Sequence, residues 1–205
     1  MEVVAHRAGN DPVALRAAEG IADLIELDVH RDRGHRVEVR HAKRLWPTRR
    51  LWERWYLLPR DAVSPQLDEV LSAARSDTGL WFDLKGVSTN LTSRLLELAE
   101  SGQRPIVVSS KSWWLLGRLT GTPNLRTFRS VGNRFELLLL FWLPTRVQTD
   151  GIVVHRRLLS PRILERLQHR GPVFTWNVTD HAMLADLSER GIAGVILDDL
   201  DLARP

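Results

Sequence analysis

Short apolar runs recur along the chain at residues 2–6 (EVVAH), 24–29 (LIELDV), 80–85 (LWFDLK), 105–110 (PIVVSS), 125–131 (LRTFRSV), 151–155 (GIVVH), 172–178 (PVFTWNV) and 194–199 (GVILDD). Each has the length of a strand and is apolar enough for burial on both faces. The segments between most of them read as helices. Asp11-Pro12, Ser64-Pro65 and Ser160-Pro161 each offer a capping residue followed by proline at the first helical position, and Gly20, Gly102, Gly171 and Gly191 fall where those helices should stop. Eight buried strands alternating with helices predict parallel pairing with helical crossovers. An α/β fold of the (β/α)8 TIM-barrel type fits best, in a short form with abbreviated helices, because 205 residues lie near the lower limit of that architecture. A doubly wound open sheet is the alternative, but no G-x-G-x-x-G loop follows the first strand. One segment breaks the alternation: HRDRGHRVEVRH, from residue 30, predicts a turn around Asp32 to Gly34 and a return strand over Arg36 to His41, a small β-hairpin after strand 2. No polar linker divides the chain, so residues 1–205 are expected to form a single domain.

Polar residues interrupt the strands in a pattern. Alternate side chains of a strand share a face, so Leu24, Glu26, Asp28 and His30 point one way and Ile25, Leu27 and Val29 the other. Two carboxylates held that close share a proton, meet an arginine or bind a cation, unless the face is simply solvated. Other strand ends bear on the choice. The working face of a barrel lies at the C-terminal ends of its strands, and there the chain places His6 and Arg7, Glu26 and Asp28, His41 on the return strand, Asp83 and Lys85, and Trp176. Taken singly, each has a plainer reading: a hydrogen-bonded surface histidine, an Asp83–Lys85 ion pair, a core tryptophan. Gathered at one rim, they form a coherent chemistry. The three carboxylates suit a Mg2+-like or Ca2+-like ion, Arg7 and Lys85 suit a phosphate, and two histidines suit general acid and base roles, which together describe metal-assisted cleavage of a phosphate ester. His30, His35, His155, His169 and His181 show no such pattern and receive no role.

Composition narrows the chemistry further. The chain has no cysteine, so a disulfide framework and thiolate ligation are excluded and any metal must take oxygen or imidazole ligands. The net charge of +4 comes from 29 basic residues, all arginine except Lys43, Lys85 and Lys111, and it suits phosphate-bearing partners in general. The basic residues are scattered, so nucleic acid is not expected as a partner. The longest apolar run, LLLLFWL at 137–143, is far shorter than the roughly 20 residues of a membrane-spanning helix. The N-terminus lacks the series of a secretory signal, so a cytoplasmic location is expected.

These residues resemble those of the glycerophosphodiester phosphodiesterase family. HRAGNDP resembles its opening His-Arg-Gly motif, and ADLIELDVHRDRGHRVEVRH resembles its Glu-x-Asp motif followed by a hairpin and histidine. WFDLKG resembles its acid-x-Lys motif, and VFTWNV and GIAGVILDD resemble its late tryptophan strand and closing Gly-x-x-x-Asp stretch. The resemblance implies a (β/α)8 barrel with Glu26, Asp28 and Asp83 as ligands of a divalent cation, Mg2+ or Ca2+. It makes His6 and His41 the acid/base pair, Arg7 and Lys85 the phosphate holders, and Trp176 part of the substrate pocket. The implied reaction is hydrolysis of a small-molecule glycerophosphodiester to glycerol 3-phosphate and an alcohol. The sequence departs from the motifs at Ala8, where glycine is usual, at Ala42, where aspartate is usual, and at Asp83, where glutamate is usual. The Glu-Asn that usually follows the proline is missing, and the stretch after His41 is short.

That stretch, residues 44–60 (RLWPTRRLWERWYLLPR), places Leu51, Trp52, Trp55 and Tyr56 at helical spacing beside Arg49, Arg50 and Arg54. It predicts either a lid over the barrel mouth or a basic amphipathic helix in peripheral contact with a membrane. The membrane reading would admit lysophospholipids, with lysophospholipase D or sphingomyelinase D-like activity. A non-catalytic barrel that binds phosphate esters is the third reading.

Overall fold

The computed structural model describes residues 1–31, 36–45, 48, 50–53, 55–59, 61–86, 88–142 and 147–204. Its strands are β1 (Glu2–Ala5), β2 (Leu24–Arg31), β3 (Val37–Val39), β4 (Lys43–Arg44), β5 (Leu51–Glu53), β6 (Tyr56–Leu57), β7 (Leu80–Leu84), β8 (Ile106–Ser110), β9 (Leu125–Val131), β10 (Gly151–His155), β11 (Val173–Trp176) and β12 (Gly194–Leu197). Strands β1, β2 and β7 to β12 pair in parallel in that order, and β12 returns to β1, so the sheet closes on itself. This is the (β/α)8 barrel expected from the apolar runs.

The helices α1 (Pro12–Ala18), α2 (Leu67–Ala73), α3 (Thr89–Glu100), α4 (Trp113–Leu116), α5 (Arg134–Trp142), α6 (Pro161–Gln168) and α7 (His181–Glu189) fill the crossovers, and α4 is reduced to a single turn. After β12 the described residues form a short 3-10 turn, Leu200–Ala203. Asp11 caps α1 by accepting from the backbone N–H groups of Val13 and Ala14, and Ser160 caps α6 by accepting from Ile163 N. The four expected stop glycines, Gly20, Gly102, Gly171 and Gly191, all have positive φ, which a side chain would disfavour.

Three expectations change or narrow. Ser64-Pro65 does not start a helix: Val39 N donates to Pro65 O (2.9 Å), so Pro65 lies extended beside β3 and α2 begins two residues later, with Gln66 at its cap. Proline lacks an N–H, and here it needs none because only its carbonyl joins the edge. Residues 44–60 hold no helix among the described residues. β4, β5 and β6 instead form a small antiparallel sheet in which Trp52 pairs with Leu57 and Glu53 with Tyr56. The spacing of Leu51, Trp52, Trp55 and Tyr56 fits a tight hairpin as well as a helix, and Pro59 and the aromatic residues favour the strand. Trp46, Pro47, Arg49, Arg54 and Arg60 lie outside the described residues. The return strand is found as β3, antiparallel to β2 with Val39 opposite Val29, while the expected turn at Asp32 to Gly34 lies outside the described residues.

Inside the barrel, Trp81, Phe128 and Phe174 meet with ring centroids 4.9, 5.1 and 5.0 Å apart, packed against Val4, Leu24, Val107, Val153 and Ile196. Glycines opposite make room for the rings. A Cβ on Gly151 would lie 2.4 Å from Phe128, and one on Gly194 would lie 2.1 Å from Phe174. Large and small residues thus alternate to fill the lumen, and this plug forms the floor on which the polar rim stands. Phe174→Ala is expected to cost about 3–5 kcal/mol and Gly194→Ala about 1–3 kcal/mol in chemical denaturation, through a cavity and a clash respectively.

Candidate active site

The inward face of β2 carries Glu26 and Asp28, both buried. Across the ladder Asp28 stands directly opposite Asp83 of β7, so the parallel register brings the third carboxylate to the same height. One carboxylate oxygen from each of Glu26, Asp28 and Asp83 lies within 4.8 Å of the others. Burial, with Asp28 and Asp83 adding repulsion, pushes the Glu26 carboxyl well above its ordinary range. Burial also works against ionised Asp28, but Lys85 and Asn10 outweigh it and hold that carboxyl below its ordinary range.

The segment after β1 is shaped to serve these acids. Arg7 adopts a left-handed backbone (φ 56°), unusual for a residue other than glycine, and in that conformation its N–H donates to Glu26 Oε2 at 2.5 Å. Its side-chain Nε lies 3.6 Å from Asp28 Oδ2, buried and without a hydrogen-bond partner. The 3-10 turn Ala8–Asn10 then lies flat on β2, which only a glycine at position 9 permits: a Cβ there would sit 2.8 Å from Leu27 Cβ. The close approach thus requires glycine at position 9. The turn delivers Asn10, whose Nδ2 donates to Asp28 Oδ2 while its Oδ1 accepts from Asp28 N, both at 2.8 Å.

On the other side, the Lys85 ammonium bridges Asp83 Oδ2 and Asp28 Oδ1, the latter at 2.7 Å as an ion pair not aligned as a hydrogen bond. Burial disfavours this ammonium, yet Asp83 and Asp28 outweigh it and hold Lys85 above its ordinary value. Ser109 Oγ donates to Asp83 Oδ1 (3.0 Å) and accepts from Trp81 Nε1 (3.0 Å), which ties the carboxylate to the aromatic floor.

Each expected acid/base histidine meets a carboxylate. His6 Nδ1 lies 2.5 Å from Asp198 Oδ1, and His41 Nδ1 lies 2.6 Å from Glu53 Oε1. An ionised carboxylate only accepts, so Nδ1 carries the proton and Nε2 is left with its lone pair. Burial and the neighbouring Arg7 lower the pKa of His41 despite Glu53 and Asp28.

A cavity of about 270 Å3 opens at this rim, lined by His6, Arg7, Glu26, Asp83, Lys85 and Trp176 among others. Seven of the eight expected site residues thus meet around one space, Asp28 through its contacts to Arg7 and Lys85. His41 lines an adjoining depression with Arg7, Asn10 and Glu53 instead. The sequence reading missed Asn10, Glu53, Asp198, Ser109, Lys111 and His155. Strand parity could have found Asp198, two residues beyond inward-facing Ile196. His155 packs edge-on to Trp176 (5.4 Å between centroids) and its Nδ1 accepts from Arg157 N. Burial and then Arg157 and Arg156 lower its pKa, so it lines the cavity as a neutral ring at neutral pH.

No protein-family model and no curated protein matches the chain by sequence. Solved structures do match by fold. The chain is similar to a glycerophosphodiester phosphodiesterase from Thermotoga maritima (TM-score 0.71, 18% identity, 98% of this chain and 96% of that one). It is also similar to one from Parabacteroides distasonis (TM-score 0.70, 19% identity, 99% and 94% covered). A third is an Oleispira antarctica phosphodiesterase in complex with its product sn-glycerol-3-phosphate (TM-score 0.73, 16% identity, 97% and 93% covered). At these identities the likeness establishes the barrel fold and its near full-length correspondence.

Asn10→Ala removes both hydrogen bonds to a buried carboxylate and its backbone. We expect a stability loss of about 1–3 kcal/mol, read from the midpoint of chemical denaturation, and unchanged stability would show that the contact carries no weight.

Proposed function

We propose that this barrel is a metal-dependent phosphodiesterase that hydrolyses glycerophosphodiesters to glycerol 3-phosphate and an alcohol. The reading rests on one observation above all: three carboxylates within 4.8 Å share a rim with Arg7, whose Nε faces Asp28 at 3.6 Å without a hydrogen bond. The donor set is all oxygen, which fits Mg2+ or Ca2+, and Asp28 Oδ1 keeps hydrogen-bonding capacity beside Lys85. In this reading Glu26, Asp28 and Asp83 hold the cation, which supplies Lewis-acid polarisation of a phosphate oxygen when bound. Arg7 and Lys85 hold the phosphate, Arg7 as a guanidinium fork and Lys85 as a point charge.

His41, neutral through its lowered pKa, takes the proton of the attacking oxygen at Nε2, and Glu53 stabilises the resulting imidazolium. His6, oriented by Asp198, returns a proton to the departing alcohol as its P–O bond breaks. Trp176 lines the substrate pocket. The product bound in the Oleispira antarctica structure, sn-glycerol-3-phosphate, agrees with this substrate class.

The Lys85 ammonium supports a second reading, a barrel that binds phosphate esters without turnover, because it already bridges two of the three acids. Turnover of lysophospholipids would be a third, with the exposed Trp55 and Tyr56 of the β5–β6 hairpin touching the membrane surface.

One panel separates them. With Mg2+, Ca2+ or Mn2+, purified protein is expected to release glycerol 3-phosphate from glycerophosphocholine or glycerophosphoethanolamine and to stop with chelator. Choline released from lysophosphatidylcholine alone would favour the lipid substrate, and no product from any diester would leave only binding. His41→Ala is expected to lower kcat by about 10²–10⁴-fold. Because the base works deprotonated and its pKa is lowered, the acid limb of kcat/KM should fall below the ordinary imidazole range near 6.5.

A further inference from the structure

The outer face of the barrel carries a feature that the active site does not use. Helix α5, RFELLLLFW, buries Leu137 and Leu140 against the barrel, as an amphipathic helix should. Its opposite side is apolar as well. Phe135, Leu138 and Trp142 are 67%, 51% and 79% exposed, and their spacing of three and four residues puts them on one face. At about 1.5 Å per residue, this stripe runs roughly 10 Å along the helix. Single exposed apolar residues are ordinary, but a contiguous row of two large aromatics and a leucine marks a contact surface. Trp114 on the preceding helix α4 is also exposed, at 55%.

The charges beside the stripe identify its partner. Arg134 precedes Phe135 and is exposed. Arg166 of α6 lies 3.9 Å from the ring of Phe141, and Arg170, just beyond that helix, lies 5.3 Å from it and donates through Nη1 to Leu140 O. Arg162 of α6 is exposed too. Of the acids on these two helices, Glu136 is tied to Lys111 and to Gly132 N, which leaves Glu165 as the exposed one. A second copy packed through the same face would offer these arginines Glu165 as the one exposed acid of α5 and α6. An anionic bilayer instead offers headgroup phosphates to the guanidinium groups and an interfacial layer to tryptophan, phenylalanine and leucine.

We propose that α5 docks this protein on the surface of anionic membranes, with Phe135, Leu138 and Trp142 seated at headgroup level and the flanking arginines on lipid phosphates. The inference is independent of the reaction at the rim. It differs from the contact expected of residues 44–60, whose described residues contribute to the small β4–β6 sheet elsewhere in the chain.

The test is co-sedimentation of the full chain with vesicles of phosphatidylcholine containing phosphatidylglycerol, and with vesicles of phosphatidylcholine alone. The protein should pellet with the first and far less with the second, and added salt should release it. The double variant Phe135→Ser/Trp142→Ser should bind about tenfold or more weakly with an unchanged melting midpoint. Should that variant not fold, Arg162→Glu, on the exposed flank, gives the same reading through charge. Wild-type protein that stays in the supernatant with anionic vesicles overturns the proposal, as does a folded variant that pellets undiminished. A dimer that Phe135→Ser/Trp142→Ser dissociates, without vesicle binding, overturns it by assigning the stripe to a second copy.

Discussion

Mutual repulsion among Glu26, Asp28 and Asp83 is the constraint around which the rest of this rim is arranged. Two of them are buried, and Asp28 and Asp83 face each other across a parallel ladder. Such a cluster persists only if every lone pair finds a donor or a cation. The chain provides both. The Arg7 backbone N–H goes to Glu26, the Asn10 amide to Asp28, the Ser109 hydroxyl to Asp83, and the Lys85 ammonium bridges two carboxylates. The left-handed Arg7 and the bare face of Gly9 are local features whose effect is to bring those donors within reach. Strain at one residue is stabilised by satisfying two buried acids.

The barrel supplies the rigidity that this arrangement needs. The aromatic layer of Trp81, Phe128 and Phe174 closes the lumen below the acids, and Trp81 reaches up through Ser109 to Asp83. The donors therefore sit on a packed floor, and their positions are fixed by the same contacts that stabilise the fold. The adjoining wall is built differently. His41 and Glu53 come from the bend after β3 and from β5 of the small β4–β6 sheet, outside the closed barrel, so one histidine of the pair stands on the barrel and the other on an appended structure.

The strands were legible because burial on both faces leaves a continuous apolar run, and parity along LIELDV and LWFDLK then assigned three acids and Lys85 to one side. What parity cannot see is a partner from another element. Asn10 sits in a short turn whose side chain is placed by Gly9 lying on Leu27, a contact between segments 18 residues apart in sequence. Glu53 lay in the one segment whose period was misread, since four apolar positions over six residues fit a hairpin as well as a helix. Ser64-Pro65 failed as a helix start for a related reason: a carbonyl paired with β3 outweighed a good local cap. His155 was passed over because a histidine at the end of an apolar strand carries no local sign that the neighbouring strand offers it Trp176.

Asp83 shows how far a shortened side chain matters. Relative to a glutamate it reaches one methylene less, and a free aspartate at that position would point short of the cluster. It is not free. Ser109 holds Oδ1 from the next strand, Lys85 draws Oδ2 towards Asp28, and the direct register with Asp28 brings the two backbones as close as adjacent strands allow. The three carboxylates therefore stay within 4.8 Å despite the missing carbon. The same lysine that draws Asp83 in also supplies its counter-charge, so in the proposed function a divalent cation would compete with the Lys85 ammonium for the same two carboxylates. In that proposal the balance between them would depend on where Lys85 can go, and a phosphate beside Arg7 would offer it another anionic partner.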